Sequence, residues 1–294
     1  METREEISQP LKRRNKLSVA IPASFVSDIP HLREKTFRIG LVSRALSIYR
    51  IDEVIIYPDY PQRDQSRDAF LIQTILAYME TPQYLRKRLF KIMPELQYAG
   101  TLPPLRTPHH PLADKVSELR IDEFREGVVI SHTNEGSLVD IGVEQPALVK
   151  DAKLKVSTRI TVRIVNTDEQ PKAVLANREE IKTYWGYQVT VFPQSLGQML
   201  KNRRFDLVIA TSRKGKPINT VLNELKTSWN QARTTLVAFG APSQGLFEIL
   251  AREKLQLRDL AHFIVNTISS QGTETVRTEE ALCASFALLS MLEQ

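Results

Sequence analysis

Three segments of this chain bring together residues able to hold or act on a small ligand. In AFGAPSQGL, residues 238–246, Gly240, Ala241 and Gly245 carry little or no side chain, so a ligand can approach the main chain closely. A helix starting after Gly245 would add free N–H groups; an ordinary strand-to-helix turn needs such glycines too. The spacing of Gly240 and Gly245 mimics the start of a phosphate-binding P-loop. Leu246 and Phe247 stand where Lys and Ser or Thr are required, which excludes nucleotide hydrolysis of that kind. The second segment, ATSRKGKP at residues 210–217, follows an apolar run. In the third, VNTISSQGTETVRTEEAL at residues 265–282, an apolar run stops at Val265 and a dozen polar residues precede the last helix. Thr278 suits the N-cap of that helix, and Glu279 and Glu280 suit its first turn electrostatically. Capping accounts less well for Asn266, Gln271, Thr273, Thr275 and Arg277, while Gly272 would supply a turn. Polar loops between buried elements often carry function; a long solvated connection is the plainer alternative.

Other chemistries find little support. No G-x-S-x-G nucleophile elbow and no G-x-G-x-x-G after a strand occurs. Of five histidines, His109 and His110 lie in a proline-rich stretch without an acidic cluster or third histidine, so no metal site is expected. The single cysteine, Cys283, excludes an intrachain disulfide framework and a Cys-based zinc site; helical spacing makes it a small core residue.

The elements that must position these segments follow from periodicity. LSVAIPAS and DEVIIYP read as buried strands. Between them Phe37, Leu41, Ala45 and Ile48 recur at helical spacing. SRDAFLIQTILAYME and PQYLRKRLFKI read as helices, the second with Pro82 at its start. A proline-rich stretch, MPELQYAGTLPPLRTPHHPLADKV, then marks a boundary. After it come five short β-type runs, GVVI, GSLVDIG, PALVK, RITVRIV and KAVLA, which suggest a small closed or nearly closed barrel. Strand candidates resume at FDLVIAT, TTLVAFG and HFIVNT, separated by helix-like QSLGQMLKN, INTVLNELKTSWN and GLFEILARE, and TEEALCASFALLSML closes the chain. Strand–helix alternation implies a parallel sheet with helices on its faces. The expected class is α/β, with a small β domain inserted: a basic flexible arm at 1–16, a discontinuous α/β domain at 17–99 and 179–294, and a linker plus barrel at 100–178. All three ligand-binding segments follow strands, where parallel sheets collect ligands.

The chain has 294 residues, 42% hydrophobic and 25% charged, enough for two cores. No apolar run spans a bilayer, and METREEISQPLKRRNK lacks the apolar region of a signal peptide, so a cytoplasmic protein is expected. A net charge of +6 favours an anionic partner such as nucleic acid, although clusters such as LKRRNK and KNRR also suit a solvated surface.

AFGAPSQGL followed by VNTISSQGTETVRTEEAL resembles the SPOUT-class methyltransferases, whose fold contains a trefoil knot. FRIGLVSRALSIYRIDEVIIY, LRTPHHPL and the barrel insert are similar to the archaeal and eukaryotic family of RNA uridine-N3 methyltransferases. The resemblance covers nearly all of the chain past Leu17. It implies a knotted sheet, against the usual rule, a homodimer, and S-adenosylmethionine held mostly by main chain. It carries cofactor binding onto Thr211, Gly240, Ala241, Gly245, Asn266, Ile268, Gln271, Gly272 and Thr273. It makes Arg44 and Arg277 catalytic candidates, one orienting the nucleotide and one near the acceptor, with Glu279 as a third and Arg38 as an RNA-binding neighbour. The barrel looks like an S1-type OB domain that would meet RNA electrostatically through Lys150, Lys153, Lys155, Arg159 and Arg163, since aromatic stacking residues are nearly absent from it; a spacer or partner-docking role is the alternative. Two rival functions stay open: a non-catalytic RNA- or ribosome-binding protein that keeps the fold, and an S-adenosylmethionine enzyme acting on protein or a small molecule.

Overall fold

The computed structural model describes residues 10–60 and 62–293; the first nine residues of the expected basic arm lie outside them. Two compact units emerge. One comprises Tyr78–Met93 and Pro104–Gly186 with residues 10–12, the other Arg13–Ala77, Pro94–Pro103 and the chain from Tyr187 onward.

The second unit is built on a six-stranded parallel sheet. Its strands are β1 (Lys16–Pro22), β2 (Glu53–Tyr57), β8 (Gln188–Val191), β9 (Leu207–Pro217), β10 (Thr234–Ala238) and β11 (Phe263–Asn266), in the order β11-β9-β10-β1-β2-β8. β1 and β2 are almost wholly buried, as apolar runs in a parallel sheet should be. β8 was hidden from sequence reading because QVTV is short and only half-buried at the sheet edge. The helices of this unit are α1 (Leu32–Ile48), α2 (Ser66–Glu80), whose last turn belongs to the first unit, α4 (Leu196–Asn202), α5 (Ile218–Gln231), α6 (Leu246–Arg252) and α7 (Thr278–Leu289).

Helix α1 forms where the periodicity places it, but three of its four regularly spaced apolar residues face outward. Phe37, Leu41 and Ile48 are 56%, 41% and 59% exposed, while Ile39, Val42, Ala45 and Leu46 are buried. The helix presents small residues to the interior: Ser43 shares a 2.6 Å hydrogen bond with the Tyr187 hydroxyl, and Gly40 meets Leu102. Small residues permit close packing, so the buried face is not the one with the largest apolar side chains. Cys283, expected in the core, is likewise exposed on α7, whose buried face is Leu282, Ser285, Phe286 and Leu289.

The first unit holds α3 (Gln83–Leu89) and a closed barrel of β3 (Phe124–His132), β4 (Gly136–Asp140), β5 (Ala147–Lys150), β6 (Arg159–Asn166) and β7 (Lys172–Leu175). The strand order is β3-β4-β5-β7-β6, with β5 and β7 parallel. Val129, Val139, Ile141, Val149, Val162 and Ile164 fill its core. Beside it a buried polar cluster replaces apolar packing. Arg159 bridges Glu80 and Glu126 at 2.6 and 2.5 Å, and Glu126 also accepts hydrogen bonds from Trp185 (2.6 Å) and Thr161 (2.7 Å). Burial would raise the Glu80 carboxyl, but His109 and Arg159 bring it down to about 2. His109 and His110 both point ring nitrogens at the Glu80 carbonyl. They brace the barrel unit, and no group of metal-ligating residues occurs among the described residues.

Candidate functional site

Taken in chain order, the first candidate segment, residues 210–217, is part of a strand rather than a loop. β9 pairs with β10 as far as Ala210, while β11 opposes Ile264 to Ala210 and then Val265 to Lys216. Residues 211–215 therefore leave the ladder and rejoin it. Thr211 anchors the excursion by donating to the Ala238 carbonyl at 3.0 Å. At its far end, a Cβ on Gly215 would lie 2.6 Å from the Val265 carbonyl carbon and 2.8 Å from the Ile264 oxygen, so only glycine fits.

The second segment folds into a tight turn in which Ala241 and Gln244 exchange main-chain hydrogen bonds of 2.8 and 3.2 Å. A Cβ on Gly240 would crowd the Gln244 oxygen and Gly245 Cα, both at 3.1 Å. Gly245 stands at the N-cap of α6.

The third segment is tied to the first. The Asn266 side chain donates to the Arg213 carbonyl (3.3 Å) and accepts from the Ile268 N–H (3.0 Å). Arg213 donates to the Glu274 carbonyl at 2.6 Å, and the Gln271 amide holds the Thr273 and Glu274 carbonyls. The polar residues that seemed surplus thus brace the segment internally. The left-handed turn is made by Ser270, with φ of 60°, not by Gly272, which has open space around it.

Together the three segments enclose a cleft of about 350 Å³. Thr211, Gly240, Ala241, Gly245, Asn266, Ile268 and Gln271 line it, whereas Gly272 and Thr273 belong to the third segment but not to the wall. Sequence reading missed two further wall residues, Lys214 and Glu248, which form an ion pair, with the hydrogen bond from Lys214 holding the Glu248 carboxyl below its ordinary value. It also missed Ser243, whose hydroxyl sits 3.4 Å from that of Tyr60.

Beside the cleft, Arg277 is exposed and occupies the N-cap position of α7, where its N–H donates to Glu280 at 2.9 Å. Thr278, expected there, is the first helical residue and is buried. Glu279 is 6% exposed. One carboxylate oxygen lies 3.5 Å from Arg38, which also approaches Asp28 at 3.8 Å; the other oxygen is buried without a hydrogen-bond partner. The fold therefore joins Arg38 to Glu279. Arg44, six residues further along α1, is half-buried, points to another side of the helix and is not in the cleft wall.

Among the barrel cations, Lys150, Lys153 and Lys155 are exposed, Lys150 standing 3.8 Å from Glu135. Arg163 pairs with Asp122 at 2.5 Å, and Arg159 is engaged in the buried cluster.

The chain matches, over residues 16–289, the model of a family described as "Putative RNA methyltransferase". It is 33% identical to the 28S rRNA (uridine-N(3))-methyltransferase of Mus musculus, across 93% of this chain and 75% of the mouse protein. The human protein of the same name is 32% identical, across 93% of this chain and 77% of its own length. An uncharacterized protein of Haloarcula marismortui is 32% identical, across 94% of this chain and 99% of the haloarchaeal one.

Proposed function

Because this chain belongs to the family described as "Putative RNA methyltransferase", we propose that it transfers a methyl group from S-adenosylmethionine to N3 of a uridine in ribosomal RNA. The observation that carries this reading is the convergence of three distant segments on one cleft, formed by the excursion within β9 and the carboxyl ends of β10 and β11.

The residues present fit the cofactor. Gly240 and Gly245 line the cleft without a side chain, which leaves main chain open to a ligand, and the Asn266 and Gln271 amides hold the polar wall beside them in place. S-adenosylmethionine, when bound, supplies an already activated sulfonium methyl group. The protein must then align the nucleotide and help remove the N3 proton. Arg277, exposed next to the cleft, stabilises the negative charge that develops on the uracil. Glu279, buried and paired with Arg38, fixes the start of α7 and the orientation of Arg38.

The same reading takes the sheet to be knotted, as the resemblance to the SPOUT class implies. The protein is a homodimer. Phe37, Leu41 and Ile48 recur at i, i+4 and i+11 along the outer side of α1, an exposed apolar stripe suited to a second copy, with the half-buried Arg44 at i+7 on the same side. Such a dimer places Arg44 where it orients a nucleotide at the partner's site. The barrel, with the strand order of an OB domain, meets RNA through Lys150, Lys153 and Lys155, which charge and exposure favour, with Arg163 at its edge. No helix among the described residues is long and apolar enough to cross a membrane. A cytoplasmic location accords with one lone thiol and a basic, charged surface.

Calorimetric titration with S-adenosylmethionine tests the core of this reading. Saturable binding is expected for the wild type and is lost in a folded Gly240→Trp variant. Absence of binding to the folded protein, with and without RNA, would refute it and favour a non-catalytic RNA-binding protein.

A further inference from the structure

The cleft just assigned is not the largest in the sheet unit. A second, of about 820 Å³, lies over the carboxyl ends of β1, β2 and β8, within the roughly 300–1,000 Å³ typical of small-ligand sites. Its floor includes Ile56 and Phe192, and Arg63, Lys201 and Arg252 reach its wall. None of these three cations is paired with a carboxylate among the described residues. The two acids beside them are committed elsewhere. Glu253 accepts from the Ser195 hydroxyl (2.6 Å) and the Gly197 N–H (3.2 Å) at the start of α4, and Asp64 accepts from the Ser66 N–H. The primary amides of Gln194 and Gln198 also line the cleft, each offering donors and an acceptor. Unpaired cations suit a phosphodiester, and amides beside an apolar floor suit the hydrogen-bonding edge and face of a base.

A thin partition separates this cleft from the smaller one. The Arg252 guanidinium lies 4.3 Å from the centre of the Tyr60 ring, and the Tyr60 hydroxyl lies 3.4 Å from that of Ser243. Arg252 lines the larger cleft and Ser243 the smaller. The Ser243 hydroxyl and the Arg252 guanidinium also hold the Tyr60 phenol below its ordinary value.

We propose that the larger cleft seats a nucleotide of the RNA substrate adjacent to the one being methylated, so that the strand crosses the Tyr60–Arg252 partition between the two clefts. This rests on the RNA-methylating reading above. The assignment makes the sheet unit, and not the barrel alone, responsible for choosing the sequence around the target.

The test uses the full-length protein and ribosomal RNA transcribed with 4-thiouridine in place of some uridines. After irradiation, cross-linked peptides are mapped by mass spectrometry. Cross-links within residues 59–66 or 192–201 are expected. The Arg63→Glu/Lys201→Glu variant, altered only at exposed positions, should lose those cross-links. It should bind the RNA at least tenfold more weakly, with its affinity for S-adenosylmethionine changed less than twofold. Methyl transfer with cross-links confined to other regions would overturn this proposal and leave the methyltransferase reading standing. Saturable binding of uridine monophosphate at the cleft without RNA cross-links there would also overturn it, in favour of a free nucleotide as ligand. Failure of the wild type to bind or methylate RNA would overturn both.

Discussion

Gly215 carries no signal in the sequence beyond being a glycine between two lysines, yet its missing side chain is what lets the 211–215 excursion rejoin β9 against β11. Gly215→Val should therefore lower the melting temperature and abolish S-adenosylmethionine binding together, measured by calorimetry on one preparation. Gly240 and Gly245 were legible because an apolar run precedes them; Gly215 was not, because its constraint comes from a strand fifty residues away. Arg277→Ala should leave cofactor affinity unchanged while lowering the single-turnover methylation rate by roughly 10²-fold, as for loss of a charge-stabilising donor. A pH dependence follows from Glu53. Burial would raise its carboxyl, but Arg203, Thr190 and Lys16 bring it from 4.5 to about 2. The folded state then holds fewer protons than the unfolded one, so this contribution is complete above about pH 4.5 and is lost as pH falls towards 2. Glu53→Gln should melt lower at pH 7 and show a shallower decline between pH 4.5 and 2, read from thermal unfolding curves.

Most elements were visible at the next scale because their signals are local. The five barrel strands form where alternation and glycine-bearing turns place them, and α4, α5 and α6 fall on their helix-like stretches. Three features escaped. β8 is too short and half-exposed to carry a pattern, β9 extends through residues that read as loop, and α1 exposes three of its four regularly spaced apolar residues. Each depends on a partner distant in sequence. The exposed stripe on α1 yields an element-scale prediction: Leu41→Glu/Ile48→Glu should convert a dimer to a monomer in analytical ultracentrifugation with little change in secondary structure. An unchanged sedimentation coefficient would remove α1 from the interface. In the barrel unit, Arg159→Met would leave Glu80 and Glu126 buried without the nearer of their two shared cations, Arg178 being the other, and should cost about 3 kcal/mol in denaturant unfolding.

At the scale of the whole molecule, the change of texture after the proline-rich stretch and its reversal near Tyr187 revealed an α/β body interrupted by a small β unit. Which residues meet at the cleft was partly legible, since two of the three segments follow strands of one parallel sheet and the other interrupts the strand between them. The larger cleft over β1, β2 and β8 was not, because its walls come from four segments with no shared motif. The central claim is that this assembly methylates RNA from a cofactor held by the three segments. The most direct test incubates purified protein with ribosomal RNA and S-adenosylmethionine labelled in the methyl group, then digests the RNA to nucleosides and identifies the labelled one. The account predicts label in 3-methyluridine with the wild type and none with Gly240→Trp. Label in a different nucleoside would contradict the uridine-N3 assignment, and unlabelled RNA from a folded protein that binds the cofactor would contradict the account as a whole.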